Sequence, residues 1–124
     1  MGELGDYLYE PDGAVIRARL IGDLARRLDA RMVNSSIAYL TSDAPVETPF
    51  ATCFRVVENF PLDQRSLKRE LAARKIGTLE IKKRGVDIDP AAFRTALAPK
   101  GEGSATLVLT RVGEKRRALL VERV

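Results

Sequence analysis

Lys82-Lys83-Arg84, followed by Gly85, is the first cluster able to do chemistry. Ammonium and guanidinium groups at this density suit the neutralisation of phosphate oxygens on a polyanion. Gly85 adds backbone that can approach a phosphate closely. Successive strand residues point to opposite faces, so Lys82 and Arg84 share one face and Lys83 takes the other. The alternative is a solvated strand end paired with Glu80, Asp87 or Asp89. A second candidate set comprises Arg65, Lys68, Arg69, Arg74 and Lys75. Arg65, Lys68 and Arg69 stand at i, i+3 and i+4 and share a helix face able to track a phosphate backbone. An ordinary solvated basic face is the better explanation of them, because basic helical surfaces are common. Lys115-Arg116-Arg117 carries less weight, because charge at a hairpin tip commonly guards against aggregation.

The other chemistries have little material. There is no histidine, which removes imidazole bases and His-containing metal sites. Cys53 is the single cysteine, so neither an internal disulfide nor a cysteine-only zinc site can form, and an inert buried thiol is expected. Thr41-Ser42-Asp43 has no basic partner in its motif, and Asp89 reads as a helix cap. Gly101-Glu102-Gly103 follows a helix and precedes a strand, the reverse of a nucleotide-binding loop, and reads as a flexible connector. No catalytic, cofactor-binding or metal-ligating residue is assigned.

The charge pattern agrees with an anionic partner. The net charge is +4, and residues 55–84 hold nine basic and four acidic side chains. Residues 1–54 are the acidic part, with five basic and eight acidic side chains. Such asymmetry suits a polyanion-binding surface. The length of 124 residues fits one core. No apolar run reaches the roughly 20 residues that span a bilayer, and no secretory leader is visible, so a reducing cytoplasm is the expected setting.

The elements that must position these groups follow from periodicity. Tyr7-Leu8-Tyr9 reads as a short strand or extended arm. Asp12 caps a helix over about residues 13–28, with Ile16, Leu20, Leu24 and Leu28 as its stripe. Ile37–Leu40 is a short strand that Thr41-Ser42-Asp43 and Pro45 break, and Phe50–Phe60 is a longer one. Asp63 caps a second helix with Leu67 and Leu71 inward, and Gly77 closes it in the left-handed conformation. Thr78–Lys82 is a strand. Asp89-Pro90 starts a third helix. Ala105–Val112 and Arg117–Val124 form a hairpin. The expectation is an α+β fold of about five strands and three helices, with a strand-helix-strand-helix-strand-strand core after the N-terminal helix. Residues 1–49 form an arm, helix and short strand, and residues 50–124 the main domain. Tyr7, Tyr9 and Tyr39 lie away from the basic segment and read as packing groups for the arm.

Several stretches also resemble a known family. They are Phe50–Phe54, Ile76 to Pro90 (most specifically Leu79–Pro90), Ala105–Arg111, Tyr7–Ala18 and Ile37–Asp43. Together they resemble the THUMP-like domain at the carboxy terminus of bacterial class I S-adenosylmethionine-dependent methyltransferases, actinobacterial ones above all. The resemblance implies an RNA partner, transfer or ribosomal, since THUMP domains are RNA-binding modules. It also implies a methyltransferase domain in the same polypeptide, with S-adenosylmethionine (SAM) bound there and not by this chain. A structural or dimerisation module without nucleic-acid contact is the alternative. Its interface would be the Tyr7–Asp12 arm and the first helix.

Overall fold

The computed structural model describes residues 3–124 as seven strands and four helices in one sheet. The strands are β1 (Tyr7–Pro11), β2 (Arg31–Asn34), β3 (Ile37–Ser42), β4 (Ala51–Pro61), β5 (Ile76–Lys83), β6 (Gly103–Val112) and β7 (Lys115–Arg123). The helices are α1 (Gly13–Arg17), α2 (Ile21–Leu28), α3 (Gln64–Ala73) and α4 (Pro90–Leu97). Across the sheet the order is β2-β3-β1-β4-β7-β6-β5, and only β5 and β6 run parallel. The mixed α+β class matches expectation, and after residue 50 the elements run β4-α3-β5-α4-β6-β7.

The expected count of five strands and three helices is corrected to seven and four. β2 was missed because Arg31-Met32-Val33-Asn34 is four residues long and lacks the alternation of a half-buried strand. The Tyr7 arm is a true strand, seated between β3 and β4. Thr41 and Ser42 continue β3 instead of breaking it, because both hydroxyls find partners. Thr41 donates to the Tyr7 carbonyl at 2.6 Å, and Ser42 bonds the Tyr9 hydroxyl at 2.8 Å.

The expected single helix over residues 13–28 is two. Val15 is buried, as are Leu24 and Leu28. Val15 and Leu24 stand nine residues apart, so a straight helix would turn them to opposite sides. A break at Arg19, whose φ is +59°, lets both meet the sheet. Leu20, counted in the stripe, is left 46% exposed.

Side-chain parity divides the sheet into two faces. Leu79 and Ile81 of β5, Leu107 and Leu109 of β6, and Ala118 and Leu120 of β7 pack under α3 and α4. On the same face, Tyr9 and Leu40 pack under α1 and α2 with Val15, Leu24 and Leu28. The other face carries no helix and closes on itself. There Leu8, Val33, Ile37, Tyr39, Phe54, Val108, Leu119 and Val121 form one cluster. The curl is pinned where the Gly113 N–H donates to the Val33 carbonyl at 2.8 Å.

Three expected aspartate caps are present. Asp12, Asp63 and Asp89 accept from the backbone N–H of Ala14, Ser66 and Ala91, and Pro90 follows Asp89 at the first helical position. Gly77 does not close α3: Lys75 takes the left-handed conformation at φ +56°, and Gly77 lies in β5. A Cβ on Gly77 would fall 1.9 Å from the Gly101 carbonyl oxygen, so glycine is required by close approach. Gly101-Glu102-Gly103 is accordingly a packed backbone crossing, not a loose connector. The Gly103 N–H donates to the Lys75 carbonyl at 2.9 Å.

Candidate nucleic-acid interface

The parallel pairing of β5 with β6 decides where the cations gather. Both strands finish at the same end of the sheet, where β7 begins and β4 finishes. The register sets Lys83 beside Leu109 and Arg111 beside Arg116. Parity does the rest. Lys83 follows Leu79 and Ile81, Arg111 follows Leu107 and Leu109, and Arg116 precedes Ala118 and Leu120. All three therefore project on the helix-bearing face, on adjacent strands that together span about 10 Å.

Local contacts fix this cluster. The Arg111 Nε donates to the Gly85 carbonyl at 2.9 Å, which orients the guanidinium. Its remaining anionic neighbour, Glu114, is 88% exposed and 4.0 Å away. The Leu62 N–H donates to the Arg116 carbonyl at 3.3 Å, which brings the lead-in of α3 against the hairpin. Arg65 stands in the first turn of α3, so it joins the same end, with exposed Lys68 and Arg69 further along the helix. Lys83, Arg116, Arg65, Lys68 and Arg69 have no ion-pair partner among the described residues. Asp63 is a local counter-charge. The Ser66 backbone N–H holds its carboxyl below the ordinary range, its hydroxyl helps, and Arg65 and Arg69 add less.

The other sequence-predicted cations are placed differently. Lys82 and Arg84 share a face, opposite Lys83, as strand alternation requires, but that face is the concave one. The Lys82 ammonium meets Glu10 of β1 at 3.1 Å, with both side chains about three-quarters buried. The Arg84 guanidinium lies 5.3 Å from the centroid of the Tyr39 ring. Its Nε is buried without a partner among the described residues. Arg74 and Lys75 lie at the far end of α3, away from the cluster. Arg74 meets Glu58 at 3.4 Å and lies 5.7 Å from the Phe60 ring centroid.

Nothing in the sequence marks Arg111, and a hairpin-tip position gives Arg116 little weight. Neither position is anomalous in sequence. The signal that reveals them is register, set by pairing β5 with β6 residues 26 positions on and β6 with β7 across the hairpin.

The aromatic rings near this end, Phe60 of β4 and Phe93 of α4, are half-buried against the core under α3 and α4. Tyr9, Tyr39 and Phe54 are buried. Burial pushes the Tyr39 phenol up, nearby Glu10 adds to this, and Arg84 opposes both. Cys53 is half-buried, and burial likewise pushes its thiol up. A thiol so raised is a poor nucleophile near neutral pH. No helix among the described residues is long and apolar enough to cross a membrane.

Comparison with known proteins gives a consistent picture. The family model described as "THUMP domain-like" matches residues 51–123. An uncharacterized S-adenosylmethionine-dependent methyltransferase of Mycobacterium tuberculosis, found in two strains, is 38% identical over 109 residues. That alignment covers 88% of this chain and 30% of the relative. The crystal structure of a protein described as a methyltransferase from Porphyromonas gingivalis superposes with a TM-score of 0.80 at 25% identity. It covers 99% of this chain and 30% of that one. The chain thus spans about a third of the length of the proteins it matches.

Proposed function

The chain belongs to the THUMP domain-like family, and on that premise we propose that it is the RNA-holding accessory domain of a SAM-dependent methyltransferase. The observation that carries this reading is the sheet end where Lys83, Arg111, Arg116 and Arg65 converge with few counter-charges. Phosphate contact needs positive charge placed at a surface and little else. The four groups come from three strands and a helix that share one apolar core, so their spacing is held before RNA arrives.

With Phe60 and Phe93 packed against the core and Tyr9, Tyr39 and Phe54 buried, recognition at this end works through backbone and shape and not through stacked bases. Transfer or ribosomal RNA is the partner class. Methyl transfer and SAM binding belong to the longer polypeptide, where the relatives carry the rest of their length. Lys82 and Arg84 act within the fold in this reading, holding β5 against β1 and β3. Their contribution to RNA affinity is minor.

The test is binding of bulk bacterial transfer RNA by the chain and by a Lys83→Ala, Arg111→Ala, Arg116→Ala triple variant. Micromolar binding that falls about tenfold or more in the variant supports the proposal. Equal binding by both removes its residue-level basis. The alternative, a structural or dimerisation module without nucleic-acid contact, predicts no binding even at low salt.

A further inference from the structure

At the opposite end of β4 the surface changes character. Among the described residues three large hydrophobic side chains are strongly exposed: Leu20, Phe50 and Val124. Two of these, Leu20 and Phe50, are each 46% exposed and line one groove over Ala14, Val15 and Leu24. Arg26 and Arg27 line it too, together with Asp23, which pairs with Arg26.

Leu20 is at odds with its local setting. It is the N-cap of α2, a position that favours Ser, Thr, Asp or Asn, and it makes no side-chain capping bond. It is presented by Arg19 in the left-handed conformation, which a non-glycine residue seldom adopts. The strain at Arg19 is offset by burying Val15 and Leu24, but nothing local is gained by keeping a leucine in water at the helix start. Such conflicts point to function.

We propose that this groove seats the methyltransferase portion of a longer polypeptide. The occupant follows from two observations. In the curated relatives and in the solved structure alike, the matched region is about 30% of the molecule, so the domain is accompanied by a larger one. With Arg26 paired to Asp23, the lining is mainly apolar around Leu20, Phe50, Val15 and Leu24, and calls for an apolar knob on the facing domain, with Arg27 left for a carboxylate at its edge. A covalent link raises effective concentration, so a small groove suffices where a free partner would need a standard-sized interface. The groove opens beside Phe50, at the start of β4, and the basic cluster gathers where β4 ends. Eleven strand residues separate the two surfaces by roughly 33 Å. The domain then acts as a strut, docked at one end and holding RNA at the other.

The test uses the longer polypeptide made by exchanging this chain for the matched segment of the Mycobacterium tuberculosis relative. In a Cys53→Ser background, Leu20→Cys, Phe50→Cys and Lys83→Cys are labelled with a maleimide. The same three variants of the 124-residue chain are labelled alongside. Docking predicts labelling slowed about tenfold or more at positions 20 and 50 in the longer polypeptide, with position 83 unchanged. Adding Leu20→Asp should restore fast labelling at position 50, because a charged carboxylate in the apolar part of the groove is costly to bury under the occupant. Equal rates at positions 20 and 50 in the two contexts overturn the proposal. So does labelling of the 124-residue chain that slows with its own concentration, which would make a second copy the occupant. The readout is independent of RNA, so its failure leaves the proposed role of Lys83, Arg111 and Arg116 untouched.

Discussion

The two ends of β4 teach different lessons about how a surface acquires a task. Where β4 finishes, cations from β5, β6, β7 and α3 converge, and the nearby Phe60 ring packs against the core. Where it starts, Leu20 and Phe50 stand in water beside arginines. The first surface is assembled by long-range register, because no two of its strands supply more than a residue or two each. The second is assembled locally, by a break between two short helices. Cations count for little unless the fold leaves them unpaired. Lys82 and Lys83 are neighbours in sequence, yet one is tied to Glu10 and the other is free in water.

The most damaging change should strike the scaffold beneath the basic end. Leu109 is fully buried in the cluster under α3 and α4 and directly precedes the Thr110–Arg111 strand end. Leu109→Ala should cost about 2–5 kcal/mol by losing buried contacts and leaving a cavity, measured by urea unfolding. A cost below 1 kcal/mol would mean that the basic end is not held by this core.

Next comes the basic surface itself. The Lys83, Arg111, Arg116 triple alanine variant should lose about tenfold or more in transfer-RNA affinity with little change in melting temperature. Lys82→Ala should show the opposite pattern, losing stability because largely buried Glu10 is left alone, while affinity barely moves. If Lys82→Ala abolishes binding, the division between the two faces of β5 is wrong.

Smaller effects sharpen the same contrast. Asp89→Ala removes the bond to the Ala91 N–H at 3.1 Å. It should cost about 1 kcal/mol in thermal or urea unfolding. Tyr39 supplies a pH test of the concave face, since burial raises its phenol above the ordinary value of 10.0. Below about pH 10 the phenol is protonated in both folded and unfolded chains, so its stabilising contribution is fully present. Above that value the unfolded chain releases the proton first, so stability should fall as the pH climbs towards the folded value. Tyr39→Phe should flatten this alkaline slope. An unchanged slope would show that another group controls it.

Much of the fold was legible in the sequence for local reasons. Asp12, Asp63 and Asp89 announce helix starts, and long β-rich runs mark β4, β6 and β7. The failures were also local in cause. A straight helix over residues 13–28 satisfied its own stripe, but Val15 lies off that stripe, and only the sheet reveals that it must be buried. β2 is too short to show a period, and Gly77 resembles a cap until the approach of Gly101 is seen. The basic site was half legible. Lys83 and Arg65 stand in clusters that composition exposes, whereas Arg111 becomes significant only when β6 is laid against β5 and β7. The difference between Lys82 and Lys83 was visible as opposite faces. Which face curls inward is a property of the whole sheet.

A salt titration of transfer-RNA binding by the chain and by the Lys83, Arg111, Arg116 triple variant tests the central claim most directly. Each phosphate contact contributes about 0.9 to the slope of log affinity against log salt on a duplex and about 0.7 on a single strand. The wild-type chain should therefore show a slope steeper by roughly two to three than the variant. Identical slopes would contradict the assignment of the basic sheet end as the RNA-holding surface.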